Sequence, residues 1–136
     1  MAPLKKARFD PALVVRDGLR ENAPHLSVEL GASATYAGNE PVTVVQASYA
    51  PAPGTLPGNR WLFAVNVTLM TFAPTIDEAL TVGGDVADVL LSLAKVGSVR
   101  LSSVTCTSEP TDRGHSAPSG ASTVASTYTA YMRREE

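Results

Sequence analysis

Arg60-Trp61-Leu62-Phe63-Ala64-Val65-Asn66-Val67-Thr68-Leu69-Met70, followed by Pro74-Thr75-Ile76-Asp77-Glu78, decides the reading of the fold. In the first stretch Trp61, Phe63, Val65, Val67 and Leu69 alternate with Leu62, Ala64, Asn66, Thr68 and Met70, the period-two pattern of a strand with one strongly apolar face. Pro74 ends it. Thr75 to Glu78 then has the form of a capping box, with a hydroxyl and a carboxylate placed to satisfy free backbone N–H groups at a helix start. Ile76, Ala79, Leu80, Gly83, Val86, Ala87, Leu90 and Ala94 keep helical spacing, which predicts a helix over 76–94 with these residues on one face.

Working outward, strands are predicted over 97–107 and 121–133, joined by a loop over 108–120 rich in Ser, Pro and Gly. Upstream, Asp10 is a good N-cap and Pro11 sits where a missing N–H costs nothing, so a helix is expected over 11–22 with Phe9 stapled onto Val14. Ala12, Val15 and Leu19 share its inner face, and Gly18 weakens it by about 1 kcal/mol relative to alanine. A short edge strand is expected within 25–30, a loop over 31–41 and a better strand over 42–49, where Val42, Val44 and Val45 are β-branched. The segment 50–59 carries Pro51, Pro53 and Pro57, which exclude a central strand and suggest a mobile hairpin loop. The expected fold class is α+β: a mostly antiparallel sheet of four to five strands against two main helices, in the order α-β-β-β-α-β-β. Trp61, Phe63, Val65, Leu80, Val86 and Leu90 are the expected core.

The 136 residues suit one domain over 1–136, with 1–8 a flexible N-terminal segment and 50–59 and 108–120 long mobile loops. Hydrophobic residues make up 44% and charged residues 18%, which argues against global disorder. A formal net charge of −2 argues against a broad nucleic-acid footprint, so no specific nucleic acid is expected as partner. No stretch approaches the roughly 18 apolar residues of a membrane span. Lys5, Lys6 and Arg8 have no apolar core behind them, so a secretory signal is not expected. The single Cys106 excludes an intrachain disulfide framework and fits a reducing compartment.

The search for chemistry yields weak candidates. Glu109, Asp112 and His115 fall within the predicted 108–120 loop and have the residue types of a metal site; a solvated loop explains them better, because metal sites are rigid. Cys106 paired with His115 or His25 has the elements of a thiol nucleophile. Its strand parity with Val104 instead suggests a small core hydrophobe. Asp77 and Glu78 sit in a first helical turn, where capping accounts for them. Gly83-Gly84 lacks the setting of a phosphate loop and suits close packing of helix on sheet. No catalytic residue, cofactor or metal is therefore expected. The last strand, 121–133, is long and polar until Tyr128; it reads either as a protected edge strand or as a contact between subunits.

The order of these elements resembles the tail terminator proteins of long-tailed bacteriophages and the tail-completion (minor tail) proteins grouped with them. The matching stretches are Asp10-Pro11-Ala12-Leu13-Val14-Val15-Arg16-Asp17-Gly18-Leu19, Arg60 to Val67, Asp77-Glu78-Ala79-Leu80 with its helix through Leu93, Ser108 to Asp112, and Tyr128 to Arg133. The resemblance covers nearly the whole chain as a pattern of elements rather than an invariant signature. It implies a structural virion protein that forms a hexameric ring, stops growth of the tail tube and joins tail to head. The implied partners are further copies of the chain, the tail-tube protein and the head–tail connector proteins, with assembly in the host cytoplasm. Other readings are a head-completion or neck connector protein and, from a different class, a small-ligand-binding module or enzyme. The candidate interface is Lys5, Lys6, Arg8, Pro51, Pro53, Leu56, Pro57, Arg60, Glu109, Asp112, Arg113, His115 and Arg133.

Overall fold

The structure, a computed structural model, describes residues 10–30, 40–49, 62–112 and 122–134. Chain order is α1 (Pro11–Asn22), β1 (Val28–Leu30), β2 (Val42–Tyr49), β3 (Leu62–Ala73), α2 (Ile76–Ser92), β4 (Lys95–Val96), β5 (Val99–Asp112) and β6 (Ser122–Arg134). The strands form one sheet in the order β1-β2-β3-β6-β5-β4. β1 and β2 are parallel and every other pair is antiparallel. The α+β class and the two helices match the sequence reading. The sheet has six strands rather than four to five, because β4, a two-residue strand, adds itself to the edge.

Both helices start where their caps place them. Asp10 Oδ1 accepts from the Ala12 N–H at 3.0 Å, with Pro11 in the first helical position. Thr75 Oγ1 accepts from the Glu78 N–H at 3.2 Å and donates to Glu78 Oε1 at 3.2 Å. Helix α2 stops at Ser92, two residues before the predicted end, and Ala94 is exposed. A two-residue turn, Gly97-Ser98, joins β4 to β5; Gly97 has φ of 58°, a conformation hairpin turns of this length require and glycine adopts without strain.

The helices cover one face of the sheet. Val65, Val67 and Leu69 of β3 and Tyr128, Ala130 and Met132 of β6 point into a core with Val14, Val15 and Leu19 of α1 and Val86 and Leu90 of α2. Thr43 and Thr71 lie on the same face, fully buried, and satisfy each other through a hydroxyl–hydroxyl hydrogen bond of 2.9 Å. Above them Gly83 brings α2 close: a Cβ there would stand 3.3 Å from Val124. The glycine pair thus serves packing at its first member, while Gly84 faces open space.

Several expectations are corrected. Leu80 is 41% exposed rather than core, and Phe63 is half-buried, while Val65, Val86 and Leu90 are core as expected. Trp61 lies outside the described residues, as do Phe9 with its staple, the loop 31–39 and the segment 50–59. β5 runs on to Asp112, so residues 108–112 of the predicted loop are strand, and 113–120 lie outside the described residues. β6 is neither an edge nor a bare surface. It sits between β3 and β5, paired along its length, and Ser122, Thr123 and Ser126 are buried in it.

Candidate functional site

Two surfaces stand out, and both follow from strand parity and helical spacing. The first is the outer face of α2. Its seventeen residues include Asp77, Glu78, Asp85 and Asp88 and no lysine or arginine. At 100° per residue, Leu80, Gly84 and Leu91 fall within about 40° of one another, beside Asp77 and Asp88. Leu80 and Leu91 are 41% and 42% exposed, and a Cβ on Gly84 would meet nothing within 4 Å. With Leu13 of α1 they are the exposed large apolar residues among the described residues. The carboxylates Asp77, Asp85 and Asp88 are exposed and form no salt bridge among the described residues.

The second surface lies on the opposite layer. In the sheet register Lys95 is the partner of Arg100, and Arg100 is the partner of Arg133. Three cations therefore form one row across β4, β5 and β6, about 10 Å from end to end at ordinary strand spacing. All three are exposed, and the row points away from the helices, since neighbouring Val96, Val99, Leu101 and Met132 are buried beneath α1 and α2. The row places three positive charges side by side at this end of the sheet. Further along this face Thr107 and Thr127 are hydrogen-bonded at 2.8 Å, and beyond them Val44 and Phe72 form a separate buried apolar cluster.

β5 itself is irregular. Its register against β6 shifts between Ser102 and Thr105, between Cys106 and Ser108, and between Ser108 and Thr111. Ser103 takes the left-handed conformation with φ of 51°. Among the described residues its outer edge pairs with a strand only at Val99 and Arg100. Bulges of this kind twist an edge away from unwanted pairing.

Of the candidate interface residues, Glu109, Asp112 and Arg133 are described, all exposed; Glu109 and Asp112 belong to β5 and Arg133 to β6. Lys5, Lys6, Arg8, Pro51, Pro53, Leu56, Pro57, Arg60, Arg113 and His115 lie outside the described residues. The metal candidate cannot be assembled from Glu109 and Asp112 alone, and no group of three metal-ligating side chains occurs among the described residues. Cys106 is half-buried, against the core. Burial first, and then the side chain of Glu109, push its thiol up from the ordinary range, so it stays protonated at neutral pH. Asp77 and Glu78 line, with Pro41, Thr81 and Val82, a groove of about 230 Å³ at the start of α2. The sequence reading took in Arg133 but missed the row it belongs to, because Lys95, Arg100 and Arg133 become neighbours only through strand pairing.

No protein-family model matches the chain, and no curated protein matches it. Among solved structures one chain aligns over 100% of this chain and 98% of its own length, at 14% identity and a TM-score of 0.46. A likeness that loose carries no argument.

Proposed function

We propose that this chain is a structural assembly subunit and, following its resemblance, a tail terminator that forms a ring closing the tail tube of a long-tailed bacteriophage. The observation that carries the assembly reading is the separation of charge between layers. Carboxylates crowd the outer face of α2, and Lys95, Arg100 and Arg133 form a row on the far face of the sheet. Closed rings use two different patches on each subunit, one meeting the other head to tail. A subunit with opposite charges on opposite layers supplies two such patches.

The polar last strand no longer contributes to this reading, since β3 and β5 occupy both of its edges. Native mass spectrometry of the purified chain tests assembly: a discrete ring of about six copies is expected, and a monomer at high micromolar concentration would exclude it. Imaging of phage particles made without the chain tests the role. Tails of irregular length and heads without tails are expected; normal, head-joined tails would remove the function.

A further inference from the structure

We infer that the ring contact, if the assembly reading above holds, is made by the outer face of α2 on one copy against the Lys95–Arg100–Arg133 row on the next. The inference rests on the proposed function and adds which surfaces meet. Three observations lead to it. α2 offers Asp77, Asp85 and Asp88 outward with no cation among its residues. Beside Asp77 and Asp88 run Leu80 and Leu91, about 16 Å apart along the helix axis at 1.5 Å per residue, with Gly84 between them leaving the backbone open to close approach. The cations sit in register on three adjacent strands of the other layer.

The two surfaces match in chemistry. The carboxylates of one surface are opposite in charge to the exposed cations of the other. The leucines give the contact an apolar margin along one side of the carboxylates, and arginine suits paired recognition of carboxylates. The occupant of the α2 face is therefore a second copy of this chain. Because the patches lie on different layers of one subunit, each copy uses both, which leaves the contact heterologous and able to close on itself.

The experiment compares two charge-reversed variants, alone and mixed. Asp77→Lys with Asp85→Lys and Asp88→Lys makes both patches positive; Arg100→Glu with Arg133→Glu makes both negative. All five positions are exposed, and circular dichroism melting verifies that each variant folds. Each variant alone is expected to stay monomeric where the natural chain assembles, a loss of at least tenfold in assembly affinity. An equimolar mixture should restore assembly with the two variants alternating, which native mass spectrometry reads from the mixed masses. Assembly of either variant alone at natural strength, or no assembly in the mixture, would overturn the inference while leaving a ring built by other surfaces in place. A natural chain that remains monomeric would overturn both this inference and the assembly reading.

Discussion

Gly18 of α1 lies so close to Val96 of β4 that a Cβ on the glycine would stand 2.7 Å from Val96 Cγ2, with Leu93 Cδ1 at 2.9 Å. The glycine that weakens α1 as an isolated helix thus lets it pack against the segment leaving α2. Gly18→Ala gains about 1 kcal/mol of helix propensity and pays an overpacking cost of about 1–3 kcal/mol, because Val is stiff about χ1. A net loss of about 1 kcal/mol is expected in urea unfolding. Adding Val96→Ala should recover part of it as a favourable coupling; strictly additive losses would mean that the two residues do not crowd each other.

Leu90 and Leu80 of α2 should respond in opposite ways to truncation. Leu90 is fully buried in the main core and Leu80 is largely exposed. Leu90→Ala should cost about 2–5 kcal/mol, and Leu80→Ala less than about 0.5 kcal/mol. Equal losses in thermal or chemical unfolding would mean that the helix is rotated from its described orientation.

The buried hydroxyl pair of Thr43 and Thr71 offers a double-mutant cycle. Each is satisfied by the other at 2.9 Å. Thr43→Val alone strands the Thr71 hydroxyl and should cost about 1–3 kcal/mol, whereas the double change to valine should be nearly neutral. A double variant as unstable as the sum of the two single ones would show that the hydroxyls have other partners.

Tyr128 makes stability fall in alkali. It is buried in the core and donates a hydrogen bond to Ser126 Oγ at 2.8 Å. Burial, the largest cause, pushes its phenol up to about 12 from an ordinary value of 10, although the Ser126 hydrogen bond pulls the other way. The folded chain therefore keeps this proton at pH values where the unfolded chain loses it. The sign follows: Tyr128's contribution is intact below pH 10 and is lost progressively between about pH 10 and 12, up to about 2–3 kcal/mol. Tyr128→Phe should cost about 1 kcal/mol near neutrality and should flatten the alkaline fall. An unchanged alkaline slope in that variant would assign the loss to other groups.

The resemblance reading placed contacts on loops and termini, most of which lie outside the described residues. The charged surfaces argued above come instead from regular elements. Asp85 and Asp88 share an outer face because of helical spacing, which is local and readable from sequence. The basic row is not readable that way: Lys95, Arg100 and Arg133 span 39 positions of the chain and meet only because β6 returns beside β5.

What the sequence determined by itself is the set of local structures. Asp10 and Thr75 mark where the helices begin, and the alternation from Phe63 to Leu69 marks a strand with Val65, Val67 and Leu69 inward. These depend on backbone N–H groups and side-chain periods a few residues long. The tertiary structure alone decided that β6 takes the centre of the sheet, that β4 exists, that β1 runs parallel to β2, and that Leu80 faces outward. Strand order is a matter of which distant edges pair. The polar strand that looked in need of a partner found two, β3 and β5, and its hydroxyls sit on a strand whose ladder to β3 runs unbroken from Ser122 to Arg133. Leu80 lies at the margin of the apolar stripe, about 80° from its centre. There the periodicity is equally consistent with burial and exposure, and only the position of the sheet beneath α2 separates the two.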